Sequence, residues 1–198
     1  GRKLWSRDTL EEANARNLEW GKSSAPLVTG DLVIVSGGES GPLLLAYDKI
    51  TGEPKWRGGN GTSSYASPIA RVLAGREQIL SVNAGGVTGH DVKTGAVLWD
   101  YPWPGSFPKC AQPVVIAPNQ LFLTAGYGVG SVLLTLSPGD DDRLVAAEVW
   151  RNLAMKARFA TVAVKDGFIY GLDEGILACV DLKTGARRWK GGRYGHGQ

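Results

Sequence analysis

The chain has 198 residues, 43% of them apolar, with a formal net charge of +3 and two cysteines. That length holds one sizeable domain or two small ones, and no apolar run is long enough to span a bilayer. The basic residues are scattered, and their densest group, "ARRWKGGR", reads as a solvated strand face rather than a nucleic-acid surface; two cysteines are too few for a disulfide-stapled domain.

Residues 1–5, "GRKLW", begin with Gly rather than Met and carry no charged-then-apolar leader, so any export signal is expected upstream. Residues 8–17, "DTLEEANARN", predict a short helical insertion, with Asp8 or Thr9 as its cap and Glu11 or Glu12 answering. Four units follow. They open as "SSAPLVTGDLVIVSGG", "SYASPIARVLAGREQILSVNAGG", "CAQPVVIAPNQLFLTAGYG" and "RFATVAVKDGFIYGLDEG", the last with Thr161 where the others have Pro. Each gives a short strand, a tight turn (Gly30-Asp31, Ala74-Gly75, Pro118-Asn119, Asp166-Gly167), a second apolar strand and a Gly-rich turn.

A third strand then runs into a repeated phrase: "AYDKITGEPKW", "GHDVKTGAVLW" and "CVDLKTGARRW". In it Asp48, Asp91 and Asp181 accept backbone N–H groups across a turn, and Gly52, Gly95 and Gly185 supply the positive φ that closes a short bulged hairpin. A small residue two before each Asp (Ala46, Gly89, Cys179) leaves room on that face for the Trp that ends the phrase. A buried indole hides much apolar area and must find an acceptor for its N–H. Trp5, Trp56, Trp99, Trp150 and Trp189 are therefore read as docking residues between sheets, and the phrase as architecture rather than chemistry. The third unit keeps Trp150 but has "TLSPGDDDRLVAAEVW" in place of the phrase. Its three acids are conceivable calcium ligands, but they match no EF-hand and read as a longer exposed loop.

By subtraction, the five Trp are 51, 43, 51 and 39 residues apart. That is the period of a four-stranded propeller blade, roughly 40–50 residues. Helical repeats of similar period need long amphipathic helices, which a chain with 28 Gly and 10 Pro does not write. The predicted fold is all-β: about four consecutive antiparallel blades in one partial propeller domain over 1–198. The expected bounds are 1–5 (end of a preceding blade), 21–57, 63–100, 109–151, 156–190, and 191–198 (start of a next blade).

The pattern Ala-x-Asp-x-x-Thr-Gly-x-x-x-Trp resembles the tryptophan-docking motif of quinoprotein-type propellers, whose repeats occur in pyrroloquinoline-quinone (PQQ) dehydrogenases and in BamB-like outer-membrane assembly factors. "EWGKSSAPLV", "YASPI" and "DEGILACVDLKTGARRWKGGRYGHGQ" are similar to BamB-like members in particular. The resemblance implies seven or eight blades in a ring, of which this chain would supply about half. Open sheet edges at both ends then predict a piece of a longer chain, or self-association with a second copy; a closed four-bladed ring ranks third. It also implies an exported, periplasmic location and a non-catalytic scaffold for a protein partner or small polar ligand.

In such propellers the loops leading into each innermost strand converge on one rim. Here they carry Trp20, Lys22, Ser23 and Ser24; Ser63, Ser64 and Tyr65; Lys109 and Cys110; Lys156 and Arg158; and Tyr194 and His196. This mixture of aromatic, hydroxyl and cationic groups suits an anionic or polar ligand; carbohydrate binding through Trp20, Tyr65 and Trp103 is a further expectation. The alternative is a PQQ- and calcium-dependent alcohol or sugar dehydrogenase domain. That reading implies an adjacent Cys-Cys pair, a Trp platform and a basic Asp. The chain has no Cys-Cys, and Cys110 and Cys179 read as buried small apolar residues without metal-ligand spacing. No catalytic residue, metal or cofactor is therefore assigned. His90, between Gly89 and Asp91, is expected on an exposed face, which leaves His196 as the better functional histidine.

Overall fold

The computed structural model describes residues 1–105 and 108–197. Gln198, the last residue of the expected 191–198 segment, lies outside them. The chain divides into two compact units: residues 1–72 with 77–108, and residues 73–76 with 109–198. The described residues form one short helix and four sheets of four strands, and in each sheet the strands lie side by side in chain order. The sheets comprise β1 (Leu27–Thr29), β2 (Leu32–Ser36), β3 (Leu44–Asp48) and β4 (Pro54–Gly58); β5 (Ile69–Leu73), β6 (Arg76–Val82), β7 (Gly86–Asp91) and β8 (Val97–Pro102); β9 (Val114–Ala117), β10 (Gln120–Ala125), β11 (Gly130–Pro138) and β12 (Leu144–Asn152); and β13 (Ala163–Lys165), β14 (Phe168–Asp173), β15 (Ile176–Asp181) and β16 (Arg187–Arg193). Each sheet is one blade of the predicted kind.

In the first unit the helix α1 (Thr9–Ala13) is capped by Asp8, whose carboxylate accepts from the Leu10 and Glu11 amides. Glu12 turns instead toward Tyr47, accepting from its hydroxyl at 3.0 Å, and toward Arg7 at 3.5 Å. This lays Ala13 on Leu45 and Tyr47, with Trp5, Ala15 and Val35 around them. The other face of the first sheet gives Ile34, Leu44 and Ala46 to a core shared with Ile79 and edged by Trp56, Ala70 and Val92. In the second unit a larger core joins Phe122, Leu133, Met155, Ile169, Ala178 and Val180, with Trp150 packed against it.

The repeated phrase forms the same turn three times. Asp48 accepts from the Ile50 and Thr51 amides, Asp91 from the Lys93 and Thr94 amides, and Asp181 from the Thr184 amide. The Asp carbonyl accepts from the Gly amide at 2.9 Å in every copy. These bonds hold Asp48 below the usual carboxylate range. Asp181 falls to about 2, chiefly because the Arg188 guanidinium lies beside it. A register shift follows Ala46, Gly89 and Cys179, so each strand pair carries its bulge at the same place.

The Trp side chains divide by what receives them. Trp5 donates to the Lys49 carbonyl at 3.1 Å, Trp56 to Val92 at 3.0 Å and Trp150 to Leu182 at 2.8 Å. In each case the acceptor is the residue after the phrase Asp of the sheet that follows. A Cβ on Gly95, which has φ +74°, would come 2.4 Å from the Trp56 ring, and Gly52 and Gly185 meet Trp5 and Trp150 in the same way. The glycine thus answers two demands, positive φ and an indole lying on its α-carbon. Trp99 stands apart. It is 1% exposed and donates at 2.5 Å to Gln78 of its own sheet. A Cβ on Gly89, opposite it, would come 2.0 Å from its indole nitrogen. Trp189 is 46% exposed and lies beside Tyr170, ring centroids 6.3 Å apart.

Two sequence expectations are corrected here. His90 is fully buried, not exposed: its Nδ1 lies 3.1 Å from the Gly95 carbonyl and its Nε2 2.8 Å from Thr88 Oγ1. His90 does point away from Trp99, on the side of its strand partner Ile79, but that face is covered as well: Gly58 and Gly59, having no side chains, let the ring pack against the first sheet. Because a carbonyl can only accept, Nδ1 carries the proton, and burial lowers the ring's affinity for a second one. Cys110 is only half-buried, whereas Cys179 is buried.

Candidate functional site

The loops leading into the first strand of each sheet, β1, β5, β9 and β13, lie at the end of that sheet away from the Asp-Gly turns. Both units carry rim residues. In the first unit the Trp20 and Tyr65 rings lie 5.7 Å apart and tilted by 51°, and the Tyr65 hydroxyl accepts from the Trp20 amide at 3.2 Å. Trp20 is 62% exposed, so this aromatic corner faces water. Lys22 bends inward and donates to the Ser36 and Gly37 carbonyls at the end of β2, and burial depresses its pKa. Ser24 and Ser36 share a hydrogen bond, and Ser23 is exposed beside them. Trp103 does not join the corner. It is 1% exposed, so neither ring face is offered to a flat ligand.

In the second unit the rim is ionic. Asp173, at the end of β14, has no exposed surface, yet Lys156 Nζ lies 2.6 Å from one of its oxygens and Lys190 Nζ 2.5 Å from the other. Burial alone would raise this carboxyl, but the two ammonium groups outweigh it and hold the pKa below the usual range. Next to it Glu174 accepts from Arg158 Nε at 2.5 Å and from the Tyr127 amide at 2.8 Å, while the Arg158 guanidinium stacks 4.5 Å from the Tyr127 ring centre. Gly126 makes the stack possible, since a Cβ there would strike the Arg158 side chain at 2.4 Å. The chain past β16 returns to the same turn: Tyr194 donates its amide to the Gly175 carbonyl. Tyr194 is 66% exposed, whereas His196 is half-buried and, among the described residues, its Nδ1 has no hydrogen-bond partner.

Lys109 takes a different position from the one its loop suggested. It is fully buried and so is not offered to a ligand at the surface, and desolvation brings its pKa down to about 8. Asp173, Glu174, Lys190 and Tyr127 were not anticipated from the sequence. Their signal was the "LDEG" turn, which ends β14 at the level of the Lys156 loop; only the sheet register shows that these loops and turns share one end.

Cys110 and Cys179 are both free thiols, and no three His, Cys, Asp or Glu side chains among the described residues gather as a metal ion requires.

Comparison with known families decides the lineage. The family model of the outer membrane protein assembly factor BamB matches residues 1–191. The chain belongs to the BamB family. The crystal structure of BamB from Moraxella catarrhalis superposes with a TM-score of 0.58 at 21% identity, covering 86% of this chain and 53% of that one. The chain therefore spans about half the length of that BamB. More remote are the computationally designed Ika8 protein (TM-score 0.45, 14% identity, 87% of this chain and 63% of that one) and a europium-containing methanol dehydrogenase (TM-score 0.44, 15% identity, 89% and 62%). No curated protein matches the chain. Among the described residues no helix is long and apolar enough to cross a membrane.

Proposed function

We propose that this chain is part of a non-catalytic propeller scaffold, exported to the bacterial envelope, whose rim loops hold a protein partner or a small polar ligand. BamB-family membership is the observation that carries the reading. The exposed corner of Trp20 and Tyr65 supports it, because aromatic side chains on a rigid frame contribute most to protein-binding surfaces. Stacking on a neutral ligand uses the same two rings. The chain works without a bound quinone, and the phrase residues Asp48, Asp91 and Asp181 with Gly52, Gly95 and Gly185 serve as docking architecture.

Two measurements test this. Titration with PQQ and calcium, followed by tryptophan fluorescence, is expected to give no saturable quenching; tight quenching with dye-linked alcohol oxidation would replace the scaffold by a dehydrogenase. A photo-crosslinking residue at position 20 is expected to give discrete adducts in the periplasm. The same residue at Ile50, which is 63% exposed at the opposite end of the same sheet, is expected to give none.

A further inference from the structure

We propose that Lys156 and Lys190 form a binding site for a second oxyanion, a carboxylate or phosphate group, held by the two ammonium groups that already bracket Asp173. The proposal names the ligand chemistry of the second unit's rim and rests on reading that rim as a binding surface. It can fail while the protein-binding reading of Trp20 and Tyr65 stands.

Charge balance at the cluster is the first argument. Lys156, Lys190 and Arg158 face Asp173 and Glu174, which leaves one positive charge in excess. Arg158 is paired one to one with Glu174 and stacked on Tyr127, which leaves two lysines to share Asp173. The excess therefore resides on the lysine pair.

Donor supply is the second argument. An ammonium has three N–H donors. Lys156 donates to the Leu153 carbonyl and lies 2.6 Å from Asp173 as an ion pair, and Lys190 donates to Asp173. Each nitrogen keeps a donor to give. Both side chains are about one-fifth exposed, 19% and 23%, so a small ion reaches them while the pair stays in place. Asp173 is wholly covered and cannot turn to water.

The surroundings favour an anion too. Two ammonium groups sharing one carboxylate repel each other, and a second anion between them completes an alternating set of charges. The His196 nitrogen is buried beside the same turn, 3.5 Å from where a Cβ of Gly175 would stand. Arg193, paired in register with Ile176, adds a further positive charge nearby.

The test is an NMR titration of the 198-residue chain with sodium phosphate and, separately, sodium acetate, against sodium chloride at constant ionic strength. Saturable shifts are expected at the Glu174 and Gly175 amides and at the Lys156 and Lys190 side chains, and are expected to vanish in Lys190→Gln. A response to phosphate, to acetate or to both identifies the group the site takes. Removing the internal competitor by Asp173→Asn is expected to tighten binding by about tenfold, the scale of one close charge pair. If that variant does not fold, wild type and Lys190→Gln still decide. No saturable shift with either anion, or the same shift in Lys190→Gln, overturns the site.

Discussion

Trp56 and Trp99 occupy the same place in consecutive repeats and are satisfied in different ways. Trp56 lies on Gly95 of the following sheet and gives its N–H to the Val92 carbonyl. Trp99 keeps its N–H inside its own sheet, on Gln78. The third sheet has no Asp-x-x-Thr-Gly turn. Its β11–β12 hairpin runs through Gly139–Arg143 with Asp141 and Asp142 at positive φ, and Asp142 clamps Arg76 through both guanidinium nitrogens at 3.0 Å. A repeated Trp therefore does not fix its own role; the turn or side chain that accepts its N–H does. Register shows why Gln78 is available. It stands opposite Asp91, where the other phrase-bearing sheets put Leu32 and Phe168.

Truncation should separate the tryptophans most. Trp99→Ala is expected to cost about 3–5 kcal/mol in urea unfolding, as large aromatic losses from cores do. Trp189→Ala, at a half-exposed site, should cost less than about 1 kcal/mol. Equal costs would deny that burial distinguishes them. Next come the acceptors. Gly95→Ala should lose about 1–3 kcal/mol from positive φ and contact with the Trp56 ring. Gln78→Leu should lose about the same by leaving the Trp99 N–H buried without its acceptor. If Gln78→Leu is neutral, Trp99 has a second way to satisfy its nitrogen.

His90 gives a smaller, pH-dependent effect. Its folded pKa is lowered by burial, so the neutral ring contributes stability above the unfolded value of about 6.5. That contribution is lost as pH falls below 6.5 toward the folded pKa, at up to about 1.4 kcal/mol per pH unit. His90→Gln should flatten the stability profile between about pH 6.5 and 5; an unchanged slope would show that other groups set it. The smallest effect is expected for Asp142→Ala, under about 1 kcal/mol, because the carboxylate is 87% exposed.

Much of the fold was legible because its signals are local. Turn glycines and the Asp that caps three of the turns lie within single repeats, and the recurrence of the Trp is read along the chain, so four-stranded sheets follow without knowledge of how neighbours pack. His90 and Trp103 were misread because their burial depends on packing that no local period records, including the room left by Gly58 and Gly59. The rim was half legible. Arg158, Tyr194 and His196 stand out by type, but the Asp173 and Glu174 that organise them look like ordinary turn acids until the register of β14 and β15 places them beside the Lys156 loop.

The repeated turn receives the indole of the preceding repeat. Hydrogen exchange at the indole nitrogens tests it directly. Nε1–H of Trp56 and Trp150, each bonded to a carbonyl of the next sheet, should exchange slowly, while that of half-exposed Trp189 should exchange quickly. Exchange at Trp56 or Trp150 as fast as at Trp189 would contradict it.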